Sequence, residues 1–261
     1  MIKTIFMILF CVHLTGDFYV QTQKMADRKQ RSFLWTIYHC LIYAAFSCVL
    51  FLLFLPGMKA GYILAFVFGH ALIDTAKYAI CFILQKKPHF LSTPAEKRNV
   101  FLIDQAAHLV LILGITYWMR SADIAELYGQ WAGELFDVFG MPETVFLQWA
   151  SVLLMIHKPV NLFIANILSG YRPSDKEEPI SAKKSSDRED RNAGRMIGTL
   201  ERIIMTVFIS IGQYSAVGLV LTAKSIARYD RISRDQVFAE YYLLGTLLST
   251  ICAVAAVLLF F

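Results

Sequence analysis

The chain has 261 residues, of which 57% are apolar and 17% charged, and its net charge is +5. A soluble domain of this length is nearer half apolar and a quarter charged, so a large water-soluble domain is excluded. The basic residues lie between apolar blocks rather than on a patch, which fits membrane orientation and excludes a nucleic-acid-binding surface.

Apolar stretches at about 3–23, 33–55, 60–84, 100–118, 145–169, 196–223 and 237–260 are each long enough to cross a bilayer. Lipid admits only helices or closed barrels, and these runs lack strand alternation. The expected fold is therefore all-α, a polytopic transmembrane bundle of about seven spans in the lipid bilayer. The first stretch is expected to be a retained helix rather than a signal peptide, because His13 and Asp17 interrupt it and no small-residue cleavage site follows.

The first four stretches, within residues 1–120, have short connections and are expected to form one four-helix membrane domain. The next region, 121–169, divides into an amphipathic interfacial helix near Met119–Glu143 and a fifth segment broken at Lys158-Pro159. Residues 170–195 read as a polar, flexible linker. The remainder, 196–261, reads as a transmembrane hairpin, with Gly212 and Ala216 suited to close helix contact. Glu201 and Lys224 lie near opposite ends of segment six and should not pair, whereas Glu240 and Lys224 share an end, so Glu240 is the better partner for Lys224.

Orientation follows the Lys/Arg bias. Lys24, Arg28, Lys29 and Arg31 follow segment one, and Lys86, Lys87, Lys97 and Arg98 follow segment three, whereas the intervening turn has only Lys59. The first and third connections are thus expected on the cytoplasmic side of a bacterial inner membrane, with the N-terminus outside. The five cysteines all fall in apolar segments without a CxxC pair and read as packing residues.

The chemistry lies in three His/Asp pairs at i, i+4 spacing: His13/Asp17, His70/Asp74 and Asp104/His108. That spacing puts both side chains of a pair on one helix face. Ionisable groups at membrane depth cost a few kcal/mol or more each, so they face a bundle interior and mark function. The order within the pairs inverts where the helix direction inverts, which keeps every Asp on the cytoplasmic side of its His. His39 supplies a fourth imidazole at comparable depth, and the group lies roughly 8–22 Å from the cytoplasmic ends at helical rise.

Four imidazoles and three carboxylates suit a divalent metal, zinc first and manganese or iron next, better than the hard cations that prefer all-oxygen shells. The expected ligands are His13, Asp17, His39, His70, Asp74, Asp104 and His108, enough for one site in which the His residues bind and the Asp residues orient them, or for two adjacent sites. Asp74, Asp104 and Lys77 are the candidate catalytic residues, and Lys77 and Lys24 can neutralise an anionic substrate. His89, beside Pro88, reads as a solvated loop residue, and His157 as part of the break before Pro159.

At these residues the chain resembles a bacterial membrane family catalogued as domain of unknown function 3307. The matching stretches are HLTGDFYVQT from His13, KMADRKQ, His39, GHALIDTAK from Gly69 and DQAAH from Asp104, over about residues 1–120. The pattern is also similar to a wider group labelled membrane-bound metal-dependent hydrolases, and that likeness implies the same seven residues. The expected function is hydrolysis of an ester or phosphoester, in a small-molecule or lipid-linked substrate, at a site open to the cytoplasm. The alternatives are a proton, ion or metal transporter using the same cluster, and a non-catalytic regulator with a structural metal.

Overall fold

A computed structural model describes residues 2–29, 31–84, 93–121, 134, 136–138, 140–171 and 183–261, with side chains of the last stretch from Gly194 onward. The expectations for His89 and for most of the interfacial helix fall outside the described residues. The described residues are helical throughout apart from turns, with no strand among them. Contacts divide the chain into two units, Met1–Leu154 and Met155–Phe261.

In the first unit, α1 (Ile2–Leu14) runs on into a π-helical turn, Thr15–Val20. The short α2 (Gln23–Lys29) leads to α3 (Phe33–Phe54), α4 (Ala60–Leu84), α5 (Pro94–Trp118) and α6 (Glu143–Ile156). α5 starts with a complete capping box, Thr93 with Glu96, and Pro94 in its first turn. Helix α1 buries most of its surface, whereas α3, α4 and α5 each bury one stripe and leave Leu41, Leu52, Leu72 and Val110 exposed. The buried stripes are polar: Thr36, His39, Tyr43 and Ser47 on α3, His70 and Asp74 on α4, Asp104 and His108 on α5. Such a helix is apolar toward lipid and polar toward its neighbours.

Glycines permit two of the close approaches. A Cβ at Gly69 would lie 2.6 Å from Leu111 Cδ1, so its absence lets α4 and α5 meet one residue before His70. A Cβ at Gly16 would lie 2.6 Å from the Tyr43 ring, where the π-helical turn meets α3.

In the second unit, α7 (Lys158–Ile167) is followed by α8 (Lys183–Ser210), α9 (Tyr214–Ala227), α10 (Tyr229–Arg234) and α11 (Gln236–Phe260). The chain breaks between α6 and α7 at His157, before Pro159, as the sequence predicts. The polar linker is shorter than expected, because Lys183 to Arg195 are already helical.

Among the described residues six helices are long and apolar enough to cross a membrane: Ile2–Val20, Phe33–Phe54, Ala60–Leu84, Pro94–Trp118, Glu143–Gly170 and Gln236–Phe260. The chain is a membrane helical bundle, and segment six is what departs from seven spans. It divides at Gly212, which has φ +74°. Gly212 N–H bonds Ile209 O and Gln213 N–H bonds Phe208 O, the paired bonds of a Schellman motif that stops α8.

Gly212 is therefore a helix terminator and not a packing surface; no atom lies within 4 Å of a Cβ placed there. The turn folds α9 back along α8, around a core of Met205, Ile209, Ala253 and Val257. This corrects the pairing of the buried charges. Lys224 Nζ lies 2.5 Å from Glu201 Oε2, while Glu240 accepts a hydrogen bond from Gln236. The two residues sit at opposite ends of one segment, but a reversal in its middle brings the ends together.

Arg202, 2% exposed, holds this unit's polar interior. Its Nε donates to Ile156 O at the helix break, Nη1 to Ser249 Oγ, and Nη2 to Asn161 Oδ1 and Thr199 Oγ1. The partners are all neutral oxygens. The guanidinium thus supplies a donor to a carbonyl at the helix break.

Candidate metal centre

All seven His and Asp residues expected from spacing converge inside the first unit, and all are buried. They form three overlapping groups whose potential ligand atoms lie within 4.8 Å of one another: His13, Asp17 and His70; His39, His70 and Asp74; Asp74, Asp104 and His108.

The arrangement is layered. His13, His70 and His108 form an imidazole layer, with ring centroids 5.8 Å, 5.0 Å and 4.6 Å apart for the three pairs. His39 belongs to the carboxylate layer instead. Its Nε2 lies 3.1 Å from Asp17 Oδ1 and 3.2 Å from Asp74 Oδ2. The place that α3 leaves in the imidazole layer is taken by Tyr43, one turn on. Its ring stacks on His70 at 3.5 Å and 5°, and its hydroxyl lies 3.3 Å from His13 Nδ1.

The two shortest carboxylate–imidazole contacts, from His39 to Asp17 and to Asp74, run between helices. His13 Nε2 and Asp17 Oδ2 are 4.0 Å apart although they share a helix. The reason is the π-helical turn, whose wider winding breaks the α-helical i, i+4 register and turns Asp17 toward α3 and α4. Thr15, which bonds back to the Cys11 and Val12 carbonyls, and the bare Gly16 open that turn.

Three atoms of the second group form a near-regular triangle. His39 Nε2 to His70 Nε2 is 3.3 Å, His39 Nε2 to Asp74 Oδ2 is 3.2 Å, and His70 Nε2 to Asp74 Oδ2 is 3.4 Å. Ligands around a four-coordinate zinc with bonds of about 2.0–2.1 Å are spaced by about 3.3–3.4 Å. The donor set and its spacing fit such an ion.

Two lysines approach from the rim. Lys29 Nζ lies 2.5 Å from Asp74 Oδ2, and Lys77 Nζ 2.7 Å from Asp104 Oδ2. Burial opposes the charge on Lys29, yet Asp74 and then Asp17 outweigh it and hold its ammonium above the ordinary lysine range. Lys24, named from the sequence for an anionic substrate, instead lies exposed on α2. Two residues of the site were missed. Lys29 had no signal beyond the basic stretch that holds it, whereas Tyr43 carried one: with His39 it makes a fourth i, i+4 polar pair on an apolar helix.

No curated protein and no solved structure matches the chain, and the likeness to membrane-bound hydrolases finds no support among them. Residues 5–133 match a family model, and that match spans every residue of the cluster. By that match residues 5–133 carry the domain described as protein of unknown function DUF3307.

Proposed function

We propose that the chain is a membrane-embedded, metal-dependent hydrolase of ester or phosphoester bonds, with zinc as its first-choice ion and manganese or iron next. The observation that carries this is the triangle of His39 Nε2, His70 Nε2 and Asp74 Oδ2. Two imidazoles and one carboxylate occupy three positions and leave a fourth for water, the pattern of catalytic rather than structural zinc sites. When bound, such an ion supplies a nucleophilic hydroxide at neutral pH and polarises the ester oxygen.

The chain's own residues do the rest. Asp17 Oδ1, 3.1 Å from His39 Nε2 and 3.5 Å from His70 Nε2, adds a further carboxylate beside the triangle. Lys29 and Lys77 place positive charge at the rim, where an anionic group on a small-molecule or lipid-linked substrate would approach. In this reading the rim faces the cytoplasm and the N-terminus lies outside, because the basic connections of segments one and three flank it.

The test is the metal content of detergent-purified protein, followed by turnover of a generic phosphodiester. We expect bound metal and metal-dependent turnover, both lost in His70→Ala. A folded wild type that holds no metal after supplementation overturns the reading. Metal or proton flux in liposomes without turnover would reassign the cluster to transport, and metal with neither activity would make the chain a regulator.

A further inference from the structure

The third group, Asp74, Asp104 and His108, is short of donors. Asp74 Oδ1, Asp104 Oδ1 and His108 Nε2 are buried and have no hydrogen-bond partner. The reason in each case is that the other polar atom of the same side chain is taken. Asp74 Oδ2 faces Lys29, His39 and His70. Asp104 Oδ2 accepts from Lys77 at 2.7 Å and from Gln105 at 3.2 Å.

His108 Nδ1 lies 2.9 Å from the Asp104 backbone carbonyl. A carbonyl only accepts, so Nδ1 carries a proton, and a neutral ring in that tautomer offers its lone pair at Nε2. One ligand atom from each of Asp74, Asp104 and His108 lies within 4.8 Å of the others, so two carboxylates and an imidazole share a buried space, each with one polar atom unpartnered. Each orphaned group is costly to leave unpaired, more so when charged, and a cation would relieve all three together.

We infer that Asp74 bridges two divalent ions. Its Oδ2 serves the ion held with His39 and His70, and its Oδ1 serves a second ion held with Asp104 Oδ1 and His108 Nε2. This rests on the metal-dependent reading above and adds a second site to it. The oxygens of one carboxylate facing two ligand groups is the geometry of a two-metal centre, whose ions lie about 3.5–4 Å apart and clamp both the attacking and the leaving oxygen of an in-line displacement. Lys77 then acts on Asp104 as a positioning residue, holding Oδ2 so that Oδ1 faces inward.

The experiment is metal stoichiometry on the full chain in detergent, after loading with zinc or with Mn(II). Wild type should bind two ions per chain, and Asp104→Asn and His108→Gln one each. Mn(II)-loaded wild type should give an exchange-coupled paramagnetic spectrum, and either variant that of an isolated ion. One ion per wild-type chain overturns the second site and leaves the single-ion hydrolase standing, whereas none overturns both. Two ions in both variants would show that these side chains do not form the site. Having both variants protects the test should one fail to fold, which elution volume and thermal midpoint report.

Discussion

In the second unit a buried cation, Arg202, spends its donors on four neutral oxygens of Ile156, Ser249, Asn161 and Thr199. In the first unit Asp74, Asp104 and His108 each keep one buried polar atom without a hydrogen-bond partner. Both units place charge where lipid makes it expensive. The polar network around Arg202 closes on itself and can be understood as structure. The one around His108 does not close, and an open network of buried acceptors asks for a ligand. A buried charge alone therefore separates neither case; the donor–acceptor balance around it does.

The sharpest way to break the comparison is to remove His70, one of the two residues shared by two ligand groups. His70→Ala should lower metal affinity by more than about 10²-fold, since even outer-shell partners of a metal ligand are worth about 10–100-fold. Elemental analysis of the purified protein checks it. The parallel change in the second unit, Arg202→Met, should leave metal content alone and lower stability by about 3 kcal/mol, because it strips the donor from several buried oxygens. Arg202→Lys should recover only part of that loss, since an ammonium cannot reproduce the guanidinium fork. A loss of metal in Arg202→Met would erase the distinction between the units.

The π-helical turn offers a smaller perturbation of the same kind. Gly16→Ala puts a methyl 2.6 Å from the Tyr43 ring and should cost about 1–3 kcal/mol by overpacking, together with a fall in metal affinity as Tyr43 leaves His70. Tyr43→Phe keeps the stacking and removes only the hydroxyl beside His13. It should weaken metal binding about tenfold, at the low end of outer-shell effects, with the thermal midpoint nearly unchanged. Titration with a competing chelator measures both.

What the sequence made legible follows from what a period can encode. The seven His and Asp residues were found because i, i+4 spacing on an apolar helix already states which face turns inward, and inward faces of neighbouring helices must meet. Which atoms meet was not legible. The His39 and Asp17 contact depends on a π-helical turn, a change of winding that composition around Thr15 and Gly16 permits without requiring. The Lys29 contact depends on a short helix outside the membrane, where hydropathy says nothing.

Segment six failed for a related reason. A hydropathy window reads straight across Gly212, whereas the φ of +74° there reverses the chain. Had Gly212 been weighed as a helix C-cap instead of a packing residue, the reversal and the Glu201–Lys224 pair would have followed from the sequence.

That pair supplies the mildest test. Its charged ends are only 14% and 19% exposed, so the cost of taking both out of water offsets much of the Coulomb gain and the pair is expected to contribute about 1 kcal/mol. Glu201→Gln should lower the thermal midpoint slightly, and the exchange Glu201→Lys with Lys224→Glu should restore most of it. Either single reversal, which sets two like charges side by side, should do worse than Glu201→Gln. Metal content should stay constant across the series, because no group of the pair belongs to the unit that holds the cluster. A double reversal no better than the single ones would mean that α9 does not fold back along α8, and the Schellman turn at Gly212 would lose its consequence.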